Sequence, residues 1–169
     1  DGTKLYIAGK NTYTLNAALI IDYKPVIGLL AAPKLKKLFY SYGQNESYLL
    51  ENNIKKKLNC KKITPHNEVI AVTNSKNPSK EILDKLKEYG MTSYKSMSSS
   101  YKFCVIATGE FDIYAARERA FEWDYAAGHA IVEHAGAVVT TLDNKKFRYG
   151  KNDYKNLSIL IRRSNNLND

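Results

Sequence analysis

Two acidic segments hold the residue types best suited to chemistry. In one of them, Asp124 follows Trp123 and opens a predicted helix. An aspartate at a helix start ordinarily accepts hydrogen bonds from backbone N–H groups, so a capping role is the simplest interpretation. The next turns, however, carry mostly small side chains, those of Ala126, Ala127, Gly128 and Ala130. Small side chains let another backbone approach closely, which predicts tight packing against this helix.

The other segment is Asp1-Gly2-Thr3 at the start of the sequence. It combines a carboxylate, a glycine that permits close backbone approach, and a hydroxyl able to orient a water molecule. Asp-Gly is also a frequent turn dipeptide, so the segment taken alone predicts only a turn. Its interpretation therefore depends on the segment around Asp124.

Histidine and cysteine spacing offers no competing site. His129 and His134 are five residues apart, which does not match the zinc motif HExxH. Cys60 and Cys104 lie far apart and form no CxxC pair, so we expect neither a disulfide framework nor a zinc knuckle. This cysteine usage fits a reducing compartment, and the predicted location is the cytoplasm.

The net charge of +9 raises the question of a nucleic-acid partner. Its lysine clusters stand among polar residues, and such runs usually form solvated surfaces, so no nucleic-acid partner is predicted and a basic nucleic-acid binder is only a third hypothesis. The 13 tyrosines are spread along the chain and predict no stacking stripe. The apolar runs at 15–21 and 26–32 are shorter than the roughly 20 residues that a membrane-spanning helix needs.

The predicted strands and helices that must position these residues form two parts with different sequence patterns. Apolar and β-branched runs predict antiparallel strands at 13–22, 25–32 and 38–42, followed by a polar linker at 51–67. Beyond it, strands and helices alternate, which predicts an α/β fold in which helices cover a mixed sheet. The predicted strands are 69–73, 92–97, 111–114, 137–142 and 157–161, and the predicted helices are 78–89, 99–108 and 124–135. We therefore expect a sheet domain at 1–62, an α/β domain at 63–163 and a frayed tail at 164–169.

The two acidic segments together resemble a known family. The run Trp123-Asp124-Tyr125-Ala126-Ala127-Gly128-His129-Ala130-Ile131 resembles the second signature of the inositol monophosphatase superfamily. Asp1-Gly2-Thr3-Lys4 looks like the end of its first signature, Asp-Pro-(Leu/Ile)-Asp-Gly-Thr. The run Ser99-Ser100-Tyr101-Lys102-Phe103-Cys104 is similar to a helix of the 3'(2'),5'-bisphosphate nucleotidases within that superfamily. Two motifs in the right order are more specific than either one alone.

The resemblance implies a magnesium-dependent, lithium-sensitive phosphatase that converts adenosine 3',5'-bisphosphate to AMP. By this resemblance, Asp1 and Asp124 would ligate Mg²⁺ and Thr3 would help orient the attacking water. The amides of Gly2 and Thr3 would approach the scissile phosphate, while Ser99 and Lys102 would hold the second one. An N-cap serine and a solvated lysine are the alternative interpretation of these last two residues.

Several features depart from the family pattern. A Glu upstream of the first signature and the first Asp of that signature are expected before Asp1, so we expect a missing N-terminal segment or a separately encoded chain, and little activity from the 169 residues alone. The expected phosphate-binding Arg is Ala116, for which Arg117 or Arg119 would substitute, and an expected His is Asn77. An inositol monophosphatase and a non-catalytic remnant or interaction domain stay open as alternatives. A homodimer and a peripheral contact with the inner membrane are also left open.

Overall fold

The computed structural model describes residues 1–60, 68–164 and 167, and these form two five-stranded sheets around two central helices. The first part contains α1 (Thr3–Ile7), β1 (Leu15–Ile21), β2 (Lys24–Ala32), a short 3-10 helix (Pro33–Leu35), β3 (Lys37–Ser41), β4 (Ser47–Glu51) and β5 (Ile54–Lys57). The second part contains β6 (Val69–Thr73), α2 (Lys80–Glu88), β7 (Met91–Ser96), α3 (Tyr101–Ala107), β8 (Ile113–Ala116), α4 (Glu122–His134), β9 (Val138–Thr140) and β10 (Ile159–Arg162). Among the described residues, no helix is long and apolar enough to cross a membrane.

The first sheet is an antiparallel meander in the order β1-β2-β3-β4-β5. The predicted antiparallel strands are confirmed, because β1 pairs with β2 and Ile21 lies opposite Lys24. Between them Asp22 and Tyr23 have positive φ angles, of 49° and 65°, as a tight two-residue hairpin turn requires. The prediction of a polar linker at 51–67 is wrong for its first part, because β5 pairs there with β4. All four residues of β5 are exposed, so this lysine-rich edge strand shows no alternation of apolar and polar residues.

The second sheet is mixed, in the order β7-β6-β8-β10-β9, which confirms the predicted α/β class. Strand β6 runs parallel to β7 and β8, while β10 runs antiparallel to β8 and β9. The Ser79 hydroxyl caps α2 by accepting the N–H of Ile82. The short helix α1 is not predicted from sequence, and α4 begins two residues earlier than expected, with Phe121 as its N-cap.

One hydrophobic core joins the two sheets. It contains Leu30 and Phe39 from the first sheet, Ile159 and Ile161 from the second, and residues of α3 and α4 between them. The small residues of α4 allow this packing, because a methyl group at Gly28 of β2 would overlap the carbonyl oxygen of Ala127 and lie 2.8 Å from Cβ of Ala130. A methyl group at Gly128 would lie 2.7 Å from Cβ of Phe103. The predicted tight packing is therefore confirmed.

The predicted boundary near residue 63 lies outside the described residues. Within the tail predicted to fray at 164–169, Leu167 is buried, and its carbonyl accepts a hydrogen bond of 2.5 Å from Arg163 Nη2. The rest of that tail, apart from Ser164, also lies outside the described residues.

The outer face of the first sheet carries exposed apolar and aromatic side chains. Leu15, Leu19 and Ile21 of β1 are 46–62% exposed. On β3 and β4, Tyr40 lies opposite Tyr48, and the rings of these two residues and of Tyr42 stack pairwise at interplanar angles of 19–27°. The pairing of β3 with β4 therefore brings together a stack of three rings that the sequence analysis does not predict.

Candidate active site

The hydroxyl of Ser100 brings the two acidic segments together. Its Oγ lies 2.8 Å from Oδ2 of Asp1 and within hydrogen-bond distance of the backbone oxygen of Asp124. A hydroxyl has one proton, so it donates to one of these oxygens at a time. Asn16 of β1 donates to the same hydroxyl through Nδ2 at 3.1 Å. The carboxylate of Asp1 and the backbone of Asp124 thus meet around one buried oxygen.

Asp124 is the third residue of α4 rather than its first. Its Oδ2 accepts the N–H of Phe121, the N-cap residue, at 3.0 Å. This is the contact made by an acidic residue in the third position of a capping box. Asp124 therefore does cap α4, but from the third helical position and not as the N-cap residue. The bond occupies one of the two carboxylate oxygens, and it fixes the direction of the side chain at the start of α4.

The backbone around Asp1 is held by Thr14 ahead of β1. The backbone nitrogen of Asp1 donates to Thr14 O at 2.7 Å, and Thr14 N donates to Asp1 O at 2.9 Å. Gly2 has a φ of 88°, a left-handed conformation that favours glycine. A Cβ there would lie 3.2 Å from Ser99 Cβ, so Gly2 also packs closely against the segment before α3. Thr3 begins α1 and is exposed.

Ser99 and Lys102 are both buried, and both use their polar groups within the chain. The Ser99 hydroxyl donates to Thr12 O, and Lys102 Nζ donates to Ser99 O. Lys102 Nζ also lies 5.3 Å from the centre of the Tyr114 ring. Burial, together with the nearby charge of Arg119, lowers the pKa of Lys102 to about 7, although Asp124 acts in the opposite direction. The solvated-lysine alternative is therefore wrong, because Lys102 is 4% exposed.

The structure separates the two candidate arginines. Arg117 forms an ion pair with Glu81 of α2 in which both side chains are largely exposed. Arg119 lies beside two cavities, one of about 190 Å³ near Asn74 and Asn77 and one of about 560 Å³ near Phe121. Its charge also acts on Lys102, the same residue on which the charge of Asp124 acts.

Comparison with known proteins decides the family. The model of the inositol monophosphatase family matches residues 1–168. The chain belongs to this family. The 3'(2'),5'-bisphosphate nucleotidase CysQ of Salmonella typhimurium is 35% identical over 149 residues, which cover 88% of this chain and 59% of that protein. CysQ of Escherichia coli K12 is 34% identical over the same coverage.

A solved structure gives the same result for the fold of this family member. CysQ from Bacteroides thetaiotaomicron, a bacterial member of the inositol monophosphatase family, aligns with a TM-score of 0.81 and 29% identity. The alignment covers 96% of this chain and 66% of that one. The chain therefore spans about three-fifths of the length of the curated relatives it matches, and the resemblance seen in its motifs is confirmed.

Members of the inositol monophosphatase family are generally metal-dependent, so the donor set of this chain can be tested for its fit to a cation. Among the described residues, no group of three or more His, Cys, Asp or Glu side chains could hold a metal ion. Asp1 and Asp124 nevertheless fit a hard cation, because Mg²⁺ is usually bound through one or two carboxylates together with substrate phosphates and water. These two residues would form the contribution of this chain to such a site.

Ser100 is the site residue that the sequence did not single out. It stands in the same Ser-Ser pair as Ser99, and the two hydroxyls are chemically alike. Ser99 adopts a φ of 69°, and its hydroxyl binds Thr12 O while that of Ser100 contacts Asp1 and Asp124. Only the folded backbone distinguishes them.

Proposed function

We propose that this chain supplies part of the active site of a magnesium-dependent phosphomonoesterase. The proposed reaction removes the 3'-phosphate of adenosine 3',5'-bisphosphate and leaves AMP. The observation that carries the proposal is the Ser100 hydroxyl, which joins Asp1 to the first turn of α4 next to Asp124. The CysQ relatives, named 3'(2'),5'-bisphosphate nucleotidases, support the substrate class.

The residues around Ser100 have complementary roles in this proposal. Phosphate monoesters resist attack because their oxygens are negatively charged, and a bound divalent cation would neutralise that charge and lower the pKa of a water molecule. Asp1 and Asp124 would hold the cation through their carboxylates. Thr3, exposed at the start of α1, orients the attacking water, and the amides of Gly2 and Thr3 approach the scissile phosphate.

The second phosphate of the substrate requires positive charge near Asp124. Lys102 and Arg119 provide it, and Arg119 takes the place of the arginine that the family pattern predicts at the position of the buried Ala116. Arg117 is less suited, because Glu81 already neutralises it. Ser99 acts indirectly in this proposal, since its hydroxyl is bonded to Thr12 O and its carbonyl holds Lys102.

The test is phosphate release by the protein as its own gene encodes it, including any codons before Asp1. We expect Mg²⁺-dependent release of phosphate from adenosine 3',5'-bisphosphate, and a loss of about 100-fold or more in Asp124→Asn. Asp84→Asn on the exposed face of α2 is the matched control and should behave as wild type. Undiminished activity in Asp124→Asn, or no hydrolysis of any phosphomonoester by the wild type, would reject the proposal.

A second candidate is a protein that binds phosphate without hydrolysing it. The observation in its favour is that, within the part of the chain that the structure describes, Asp1 and Asp124 have no third acidic or histidine ligand beside them. For the same reason we expect a polypeptide of residues 1–169 alone to have little or no phosphatase activity. Binding of adenosine 3',5'-bisphosphate without turnover by the complete gene product would favour this candidate.

A further inference from the structure

Two carboxylates stand in the first turn of α4, and their surroundings differ. Asp124 accepts the N–H of Phe121 through Oδ2, which leaves its other carboxylate oxygen without a hydrogen bond among the described residues. Glu122 is 8% exposed, and donors surround both of its oxygens. Its Oε2 accepts the N–H of Gly150 at 2.9 Å, and its Oε1 accepts the N–H of Lys151 at 3.1 Å and lies 2.5 Å from Lys151 Nζ. Glu122 is therefore an anchor within the chain rather than a free ligand.

The start of α4 needs an anchor because its N-cap residue, Phe121, has no side-chain acceptor for the first N–H groups of the helix. The segment at 150–156 supplies contacts instead. Its Gly150 end is bonded to the side chain of Glu122, as described above, and the backbone N–H of Glu122 donates to Tyr154 O at 2.8 Å. The side chain and the backbone of Glu122 thus bind two different parts of this segment.

The segment at 150–156 is itself fixed to the first sheet. Just before it, Tyr149 donates its N–H to the carbonyl oxygen of Tyr23, in the turn between β1 and β2, at 3.0 Å. Gly150 has a φ of 80°, and a Cβ there would lie 3.1 Å from Cδ1 of the Tyr23 ring. Glu122 therefore ties the first turn of α4 to a part of the chain that the first sheet holds in place.

This anchor acts on the helical turn that carries Asp124. Asp124 lies two residues after Glu122, and its backbone oxygen contacts the hydroxyl of Ser100, which also contacts Asp1. A displacement of the first turn of α4 would therefore move Asp124 relative to Asp1. Residues that orient a metal ligand without touching the metal typically alter metal affinity by about 10–100-fold when they are replaced.

We propose that Glu122 is a positioning residue of the site, whose carboxylate holds the first turn of α4 in the orientation from which Asp124 and Asp1 bind one cation. The inference rests on the proposed function for the presence of that cation. Glutamine at this position has the same size but only one acceptor oxygen, so its NH2 group would face the N–H of Gly150 or of Lys151. Glu122→Gln should therefore release one side of the anchor without removing a cation ligand.

Two measurements on the complete gene product test this role. In a calorimetric titration, Glu122→Gln should bind Mg²⁺ about 10-fold more weakly than the wild type, while excess Mg²⁺ should return its rate of phosphate release to nearly that of the wild type. In the metal-free protein, trypsin should cut after Lys151 about 10-fold faster, because the bonds that hold this residue are weakened. Glu110→Gln, at an exposed position after α3, is the control and should match the wild type in both measurements. Glu122→Asp keeps the charge on a side chain one methylene shorter, and it should show both effects to a smaller degree.

The outcomes separate this inference from the phosphatase proposal. Wild-type Mg²⁺ affinity in Glu122→Gln, or weaker Mg²⁺ binding without faster cleavage after Lys151, would overturn the positioning role and leave the phosphatase proposal standing. Weaker Mg²⁺ binding together with faster cleavage, in a protein whose wild type releases no phosphate, would support the positioning role and reject the phosphatase. A wild type that binds no Mg²⁺ would overturn both. Melting curves verify that each variant is folded, and Glu122→Asp decides the question where Glu122→Gln is not.

Discussion

Replacement of Ser100 by alanine tests the central contact of the site. The hydroxyl is 1% exposed and contacts Asp1, Asn16 and the backbone of Asp124. Alanine fits the same space but offers neither a donor nor an acceptor. We therefore expect both a less stable protein and a less well-positioned Asp1.

The magnitude follows from the bonds that are lost. A neutral hydrogen bond such as that from Asn16 contributes about 1 kcal/mol, and one to a charged group contributes about 1.5–3 kcal/mol. Because Asp1 itself is exposed, its bond belongs at the low end of that range. The free energy of unfolding should fall by about 2 kcal/mol. Affinity for Mg²⁺ should fall by about 10-fold, because the side chain that orients a ligand is gone.

Urea unfolding measures the first effect, and a calorimetric titration with Mg²⁺ measures the second. Ser98→Ala is the matched control, since Ser98 is exposed and lies two residues away. A Ser100→Ala protein with wild-type unfolding free energy and Mg²⁺ affinity would show that Ser100 does not hold Asp1 in place.

Two further changes probe the packing and the buried charge. Gly28→Ala should lower the free energy of unfolding by about 3 kcal/mol, because the added methyl group overlaps the Ala127 carbonyl. The control Ser98→Ala, at an exposed position, should be neutral, and equal effects would contradict the packing argument. Folding lowers the pKa of Lys102 from the ordinary 10.5 to about 7. Between these two values Lys102 is protonated in the unfolded chain but mostly neutral in the folded chain. The free energy of unfolding therefore rises with pH across that range. From pH 7 to pH 9 the wild type should gain about 2 kcal/mol relative to Lys102→Met in urea unfolding, and a pH-independent difference would show that Lys102 does not titrate there.

Much of the fold follows from local sequence patterns. The small residues of α4 predict a close approach, and the structure places Gly28 of β2 against Ala127. The hairpin and the alternating second part follow from periodicity and turn residues. Strand β5 could not be found in this way, because its exposed lysines are held by pairing to β4 rather than by burial.

The sequence predicts which segments form the site, but it does not predict the contacts between their side chains. The motifs identify Asp1 and Asp124, but they do not show which serine lies between them, since that depends on the positive φ of Ser99. Nor does the sequence show that Arg117 is paired with Glu81 while Arg119 faces the cavities, because ion pairs between α2 and the segment after β8 are tertiary contacts. The sequence also leaves open whether Lys102 is buried or solvated, because its contacts with Tyr114 and Ser99 exist only in the folded chain.

The position of α4 between the sheets limits how this protein can evolve. Asp124 sits in the first turn of a helix whose following turns fill the shared core, so moving the carboxylate would require repacking both sheets at once. The neighbouring segments at 117–121 and 150–157 carry no such restriction over much of their exposed length. New substrate preferences should therefore arise by drift in these two segments, while the acidic centre stays fixed.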